Sequence, residues 1–501
     1  MTVETQRLYT AGQVQCLDKC AIEDHGIPGI DLMELAGLSV FEQARLKFPQ
    51  SRHWLVFCGG GNNGGDGYVV ARLAREAGLN VVVCALKSMD SLSGDAATAA
   101  SRWHQAGGET RAWPVLDIES CDLVVDALLG TGLDRSVAGH YGDAIELINQ
   151  AAAGVVAVDI PSGLNADTGQ VMGKATEADL TVTFIGRKRG LYTAHGPDFA
   201  GRIKFSDLQT PDSVRDSILD FGLLIRENII KENLPPRRKN SHKGSFGWVL
   251  GVGSNTGMSG ALRLCGEAAL RSGAGKVTLA THPAHAALLN LACPELMVRG
   301  VERQEQLQNL LQQVDVVVTG TGLGRDSWSE ELFRVCLKTP APVVLDADGL
   351  NILAGLFAEM ADGDIPLGNW ILTPHPAEAG RLLGIPASEV QHDRVTRAQQ
   401  LAQRYNAVVV LKGCGTVIAD HNGRYAICPL GNPGMASAGS GDVLAGVIAA
   451  LLAQGLSLWE AATTGVVAHA WAGDIAAGLL GERGMLASDI TQQLPKVLNP
   501  A

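Results

Sequence analysis

The chain is expected to fold as two successive α/β domains, each built on a mainly parallel sheet. Three observations predict this. Short runs rich in Val and Ile alternate with helical stretches in two separate series, the signature of βαβ units around a buried sheet. Glycine accounts for 60 of the 501 residues, well above the usual usage of about 7%, and much of it follows the apolar runs, where a tight turn lets backbone approach a ligand. Between the two series, near residue 225, the apolar runs fade.

Taken in order, residues 10–45 read as helices, because Val14, Leu17, Ala21 and Ile22 recur at helical spacing, as do Leu32, Leu35, Ala36 and Val40. The breaker Gly26-Ile27-Pro28-Gly29 divides them. Trp54–Cys58, Val81–Leu86, Leu123–Leu128, Val155–Ile160 and Leu180–Ile185 read as strands, with helices between the first four. Leu234-Pro235-Pro236-Arg237-Arg238-Lys239-Asn240 reads as an exposed linker. The second series runs through Trp248–Val252, Val277–Ala280, Val314–Thr319, Val343–Asp346, Trp370–Thr373 and Val408–Leu411, and two long apolar helices are expected from Asp442 to about Leu480.

Composition narrows the class. Hydrophobic residues make up 46% and charged residues 18%, as in soluble globular chains. The net charge of −12 argues against nucleic acid as a partner. Phosphate ligands stay open, because backbone N–H groups can hold them locally. The ten cysteines include no C-x-x-C pair, so they read as reduced thiols of a cytosolic protein. Met1 to Thr10 is polar, and no signal peptide is expected. The longest apolar run, Val443 to Ala453, is interrupted by Gly446 and falls short of the roughly 20 residues a bilayer demands. A cytoplasmic protein without a membrane partner is expected.

The first chemical centre begins after Trp54–Cys58 with Gly59-Gly60-Gly61-Asn62-Asn63-Gly64-Gly65-Asp66-Gly67. Such a loop turns tightly and offers N–H groups at a helix start to a pyrophosphate. An ordinary dinucleotide fold would place an acid about 20 positions on, at the end of the second strand; Val81 to Lys87 contains none, so the ordinary dehydrogenase reading loses ground. Asp126 and Asp159 each follow an apolar run, at the strand ends where α/β sheets bind ligands. With Asn63 and Ser162 they are expected to form one oxygen-rich pocket suited to a hard cation. A single strand-end Asp could equally cap a helix; the conjunction favours a site.

Asn62-Asn63-Gly64-Gly65-Asp66-Gly67, Val125-Asp126-Ala127-Leu128-Leu129-Gly130-Thr131-Gly132 and Asp159-Ile160-Pro161-Ser162-Gly163 resemble, in order and spacing, the three motifs of the NAD(P)H-hydrate epimerase family over roughly residues 10–220. The resemblance implies a Rossmann-like three-layer domain, residues 1–225, acting on hydrated NADH or NADPH. It implies substrate contacts from Asn62, Asn63, Gly64, Gly65 and Asp66, from Gly130, Thr131, Gly132, Leu133, Asp134, Arg135 and Ser136, and from Asp159. It also implies K⁺ held by Asn63, Asp126 and Ser162. The hydrate carries a hydroxyl on a ring carbon next to nitrogen, and inverting that carbon needs proton transfer to and from oxygen. A held carboxylate such as Asp159 can do this, an effect worth about 10²–10⁴-fold.

The second centre is marked by Asn432-Pro433-Gly434-Met435-Ala436-Ser437-Ala438-Gly439-Ser440-Gly441-Asp442 ahead of an apolar helix. Gly439, Ser440 and Gly441 can present a row of N–H groups to a phosphate. Asp442 should begin the helix, where the macrodipole favours its ionised form and makes it a weak base. Lys412-Gly413-Cys414-Gly415-Thr416 follows a strand, and Lys412 and Thr416 could reach a nucleotide's phosphates, although no P-loop motif occurs in the chain. His375 lies between Pro374 and Pro376 at another strand end, held rigidly enough for a substrate role.

Together with Gly251-Val252-Gly253-Ser254, Ser259-Gly260-Ala261, Gly320-Thr321-Gly322-Leu323-Gly324 and Asp346-Ala347-Asp348-Gly349-Leu350-Asn351, these segments resemble the ADP- or ATP-dependent NAD(P)H-hydrate dehydratases, of ribokinase-like fold, over about 235–495. One departure is Thr321, where proline is common in the family. The resemblance implies a ribokinase-like domain, residues 226–501, in which Ala261, Gly322, His375 and Asp442 meet the hydrate and Lys412, Gly413, Cys414, Gly415, Thr416, Asn432, Gly439, Ser440 and Gly441 meet the nucleotide. Mg²⁺ would bridge the phosphates of ADP or ATP. A homo-oligomer is the expected assembly. From chemistry alone a ribokinase-like small-molecule kinase with an accessory nucleotide-binding domain fits too; a third reading, a non-catalytic first domain serving as a binding or scaffold module, is opposed by Asp126 and Asp159.

Overall fold

The computed structural model describes residues 6–114, 118–359 and 369–499; of the polar segment Met1 to Thr10, residues 1–5 lie outside them. The chain divides into two compact units, one up to Leu223 and one from Leu224 onward.

The first unit opens with helices Ala11–Glu23 and Gly29–Lys47. The first is started by a reciprocal cap: Thr10 Oγ1 accepts from Gln13 N at 3.2 Å and Gln13 Oε1 accepts from Thr10 N at 2.8 Å, which satisfies two donors the helix leaves free. The main sheet runs in the order Glu109–Ala112, Asn80–Ala85, His53–Cys58, Leu123–Ala127, Gly154–Val158, Leu180–Phe184, Arg202–Ser206, all parallel. Numbered along the chain this is 3-2-1-4-5-6-7, the doubly wound Rossmann order extended by one strand. Alternate residues of each strand point to opposite faces. Val56, Cys58, Val125 and Val158 pack with the helices Ala11–Glu23, Gly29–Lys47, Asn62–Glu76 and Gly94–Gln105 on one side. Leu55, Phe57, Val124 and Ala157 pack with Gly139–Gln150 on the other. The outer strands Glu109–Ala112 and Arg202–Ser206 were not expected; they are polar and half-open, so no apolar run announces them.

The second unit holds seven parallel strands in the order Met297–Gly300, Lys276–Thr281, Trp248–Gly253, Val316–Thr319, Val343–Leu345, Trp370–Leu372, Val408–Leu411. Thr416–Ala419 and Tyr425–Cys428 continue the sheet antiparallel. The two apolar helices are Ser440–Ala453 and Leu458–Leu480. The former crosses Ser259–Arg271 so closely that a Cβ on Gly446 would meet the Cys265 carbonyl oxygen at 2.1 Å. Residues 234–240 carry no regular element, and the Arg237 guanidinium lies 3.6 Å from the Phe246 ring centroid. All ten cysteines are free, and among the described residues no helix is long and apolar enough to cross a membrane.

Candidate active sites

In the first unit a cavity of about 670 Å³ opens at the carboxyl ends of the central strands, within the size range of small-molecule sites. Its wall includes Gly60, Gly61, Asn62, Asn63 and Asp66 from the glycine loop and helix start, Gly130, Thr131, Gly132, Leu133, Asp134 and Arg135 after Leu123–Ala127, and Asp159. Gly64, Gly65 and Ser136 are not on the wall. A side chain at Gly64 would meet the Gly59 carbonyl oxygen at 2.2 Å, and one at Gly65 would meet Met33 Cε at 2.6 Å; both glycines serve the packing of their helix.

Asp159 has φ +65°, a left-handed conformation uncommon outside Gly, Asn and Asp. It directs the carboxylate to the Lys188 ammonium, to Thr183 Oγ1 at 3.2 Å and to Phe184 N at 3.1 Å. Lys188 is 1% exposed and reaches the wall from Arg187–Lys188, which pairs with Arg7–Tyr9. Sequence reasoning missed it, because Arg187-Lys188-Arg189 reads as a solvated basic run. Around this pair burial raises the Asp18 carboxyl to about 6, and burial together with Asp159 and Asp18 holds the Asp66 carboxyl well above the usual range.

The expected single oxygen pocket is corrected. Asp126 is fully buried behind the wall, where its Oδ1 accepts from Ser162 Oγ at 2.6 Å and its Oδ2 from Ser162 N at 2.8 Å. Its partners share nothing with those of Asp159, because the left-handed turn carries Asp159 toward Lys188. Next to this group Asn63 Nδ2 donates to the Leu129 carbonyl at 3.2 Å, while Asn63 Oδ1 is buried with no hydrogen-bond partner.

In the second unit the helix Ser440–Ala453 starts after Gly439, at φ +92°, so Asp442 is its third residue. The expectation of a weak base is overturned: burial, and then the facing Asp346 carboxylate, raise the Asp442 carboxyl to about 7, and these outweigh the helix dipole. Lys412 Nζ lies 2.7 Å from Asp346 Oδ1 and 4.0 Å from Glu378 Oε2. A Cβ on Gly441 would stand 3.2 Å from Lys412 Nζ, so the ammonium sits under the helix start. His375 caps Pro376–Leu383: its Nδ1 accepts from Ala377 N at 3.1 Å and its Nε2 lies 3.3 Å from Glu378 Oε1. Burial lowers the His375 imidazole and raises the Glu378 carboxyl to about 7. A Cβ on Gly322 would meet Ala261 Cβ at 3.0 Å, so those two positions adjoin.

The segment Lys412 to Thr416 turns over Arg394. This buried guanidinium, which sequence reasoning missed, donates to the Leu411 and Lys412 carbonyls at 3.1 and 3.2 Å. Gly413 and Gly415 have φ of +139° and +62°, Cys414 is exposed, and Thr416 Oγ1 donates to the Gly413 carbonyl at 3.0 Å. Lys412 is thus held by two buried carboxylates, while Thr416 closes the exposed turn on itself. Asn432 is braced by Asp474 Oδ1 at 2.9 Å, and Ser440 Oγ lies 3.4 Å from Nε2 of the buried His469. Asp346, Glu378 and Asp474 complete the centre; Asp346 and Glu378 stood in segments that the sequence singles out, without a role of their own, and Asp474 did not.

One α/β unit with a cavity lined by acid–base groups, and a second with a glycine-led helix start beside carboxyls raised to about 7, define an enzyme with two separate centres. Comparison with known proteins gives the family. Residues 29–190 match the family model of the YjeF-related protein N-terminus, and residues 249–496 match that of NAD(P)H-hydrate dehydratase. The chain is 44% identical over 493 residues to the bifunctional NAD(P)H-hydrate repair enzyme Nnr of Coxiella burnetii, covering 98% of this chain and 99% of that one. It is 44% identical to the enzyme of the same name from Escherichia coli, covering 98% and 94%. Among solved structures, a ribokinase-like superfamily protein of Enterococcus faecalis is similar at 30% identity and a TM-score of 0.51, over 55% of this chain and 94% of that one. The chain belongs to the family of bifunctional NAD(P)H-hydrate repair enzymes.

Proposed function

We propose that the chain restores hydrated NADH and NADPH in two steps: residues 1–225 interconvert the R and S hydrates, and residues 226–501 dehydrate the S hydrate at the expense of ADP or ATP. The family membership supports both activities, and the observation that carries the reading for the second is the raised Asp442 carboxyl beside the Gly439-Ser440-Gly441 turn. A group near 7 is matched to proton transfer at neutral pH, and a glycine turn at a helix N-terminus is suited to phosphate.

In the first unit Asp159 exchanges a proton with the hydrate, while Lys188 balances its charge. The wall segments Asn62 to Asp66 and Gly130 to Arg135 receive the nucleotide. Potassium fits the structure: the unpartnered, buried Asn63 Oδ1 beside Ser162 and Asp126 offers oxygen donors with one negative charge, a set suited to a monovalent hard cation. There K⁺ would supply positive charge that fixes the Gly130 loop against the glycine helix.

In the second unit Asp442 takes the proton of the hydrate hydroxyl as that oxygen bonds to the terminal phosphorus, and AMP leaves if the donor is ADP. The ring nitrogen's electron pair then breaks the carbon–oxygen bond and expels inorganic phosphate. Loss of a proton from the adjacent ring carbon restores the reduced nicotinamide. Such transfers demand mainly positioning and charge stabilisation. Gly439, Ser440 and Gly441 supply backbone donors, Lys412 to Thr416 and Asn432 cradle the nucleotide, and Ala261, Gly322 and His375 border the hydrate. Mg²⁺ supplies charge neutralisation on the phosphates. The cytoplasm, where reduced nicotinamides are used, is the fitting location. The test is separation of hydrate epimers after incubation with and without nucleotide: epimer exchange alone is expected without it, full conversion of both epimers with it.

A further inference from the structure

Epimerisation at a ring carbon bearing a hydroxyl needs two proton carriers, because oxygen leaves one face and returns on the other. Asp159, on the turn after Gly154–Val158, provides one. The cavity has a second wall, the helix Ala11–Glu23, whose Val14, Asp18 and Ile22 all line it at the i, i+4, i+8 spacing of one helix face. Asp18 is the acid on that face. The charged groups that face it are Lys188, Asp159 and Asp66. Lys19 pairs with Glu23 at 3.7 Å on the exposed side of the helix. On the neighbouring segment Asp212–Asp216, Arg215 pairs with Asp212, and Asp216 with Arg7 at 2.9 Å. The Lys188 ammonium is in contact with Asp159, and its charge is felt by Asp18 and Asp66 as well.

We propose that Asp18 is a catalytic acid of the epimerisation centre, protonating the departing hydroxyl from the helix wall while Asp159 receives the proton of the incoming water. The proposal rests on the epimerase reading of this unit. In the forward step the Asp18 proton goes to the hydroxyl oxygen, the carbon–oxygen bond breaks, water leaves, and the ring nitrogen's electron pair closes a C=N⁺ bond. Water adds to the other face of that carbon and gives its proton to the Asp159 carboxylate. Asp18 ends ionised and Asp159 protonated; the opposite epimer runs the sequence in reverse, so alternate turnovers restore both groups, and proton exchange with cavity water does so within one direction. Environments that hold one carboxyl protonated and its neighbour ionised are how acid and base roles are separated. Burial raises Asp18 to about 6, whereas Asp66 holds its proton well beyond that and so gives it up less readily.

The experiment uses the full chain, purified R hydrate of NADH and no nucleotide, with separation of the epimers over time across pH 5–9. Wild type must interconvert the epimers; if it does not, the epimerase reading itself fails. Given that it does, Asp18→Asn is expected to lower kcat by about 10²–10⁴-fold, leave KM near wild type, and remove the decline of activity as pH rises past the Asp18 titration. Dehydration of the S hydrate with ADP should stay at the wild-type rate, which shows that the second centre is intact, and a wild-type thermal midpoint for residues 1–225 in the full chain shows that the first unit is folded. Asp18→Glu should recover part of kcat with the declining limb restored. Asp18→Asn at wild-type kcat, a loss expressed in KM alone, or a declining limb that persists in the Asn variant overturns the proposal. If the Asn variant does not fold, Asp18→Glu decides: an unchanged pH profile and kcat overturn it, a displaced limb with reduced kcat supports it.

Discussion

Lys412 Nζ and Asp346 Oδ1 stand 2.7 Å apart at the carboxyl end of the second sheet, with Glu378 4.0 Å from the same ammonium and Asp442 facing Asp346. One cation therefore serves three carboxyls, two of which hold their protons up to about 7. Burial and the crowding of carboxyls, which the single cation only partly offsets, give the centre a base that works at neutral pH.

Removing the cation should be costly. Lys412→Met leaves the fully buried Asp346 without its counter-ion, and breaking one side of a buried pair costs about 3–5 kcal/mol. Calorimetry should show a clearly lowered unfolding temperature, partly recovered in the Lys412→Met, Asp346→Asn double variant. An unchanged midpoint in the single variant would contradict the pairing.

Dehydration should rise with pH. Asp442 must be ionised to accept a proton, and its carboxyl is raised to about 7, so kcat should climb between pH 6 and 8. Asp442→Asn should lower the rate by about 10²–10⁴-fold and leave epimer exchange intact. The folded state keeps the proton up to about 7, whereas an unfolded Asp loses it near about 3.9. Within that window the folded state binds more protons, so stability falls as pH rises. Thermal midpoints at pH 5 and pH 8 should differ less in Asp442→Asn than in wild type.

At Asp159 two substitutions should separate backbone from chemistry. Asn tolerates the left-handed φ of +65°, so Asp159→Asn should fold and lose epimerisation. Asp159→Val adds a β-branched side chain to that conformation, a strain of about 1–3 kcal/mol, and should unfold at lower temperature than Asp159→Asn. Equal midpoints for the two would count against the strained turn.

Potassium should matter to the first unit. Replacing K⁺ by tetramethylammonium is expected to lower the epimerisation rate and the thermal midpoint, because Asn63 Oδ1 then loses its proposed partner. Asp126→Asn should abolish the response to K⁺. A variant that responds like wild type would remove Asp126 from the cation site.

Much of this was readable in the chain, for identifiable reasons. Strand ends betray themselves, so Asp126, Asp159 and Asp346 stood out where apolar runs stop, and Gly439 to Asp442 stood out ahead of an unbroken apolar helix. Lys188 did not, because its burial is created by pairing of Arg187–Lys188 with Arg7–Tyr9, residues far apart in sequence. Glu378 closed the His375 segment without a role of its own, and in the structure it caps the helix that His375 starts. Arg394 belongs to a polar amphipathic helix, and only the tertiary fold shows that it supports the Lys412 to Thr416 turn. The titration of Asp442 was misjudged because the helix dipole is local and visible in sequence, whereas the opposing carboxylate arrives from another strand.

The central claim is that two centres together restore reduced nicotinamide. The most direct measurement gives the full chain an equal mixture of R and S hydrates with ADP or ATP and follows reduced-nicotinamide absorbance and inorganic phosphate together. The account predicts complete recovery of both epimers with one phosphate released per nicotinamide restored. A stable phosphorylated product with no recovery of absorbance, as a small-molecule kinase would give, contradicts it.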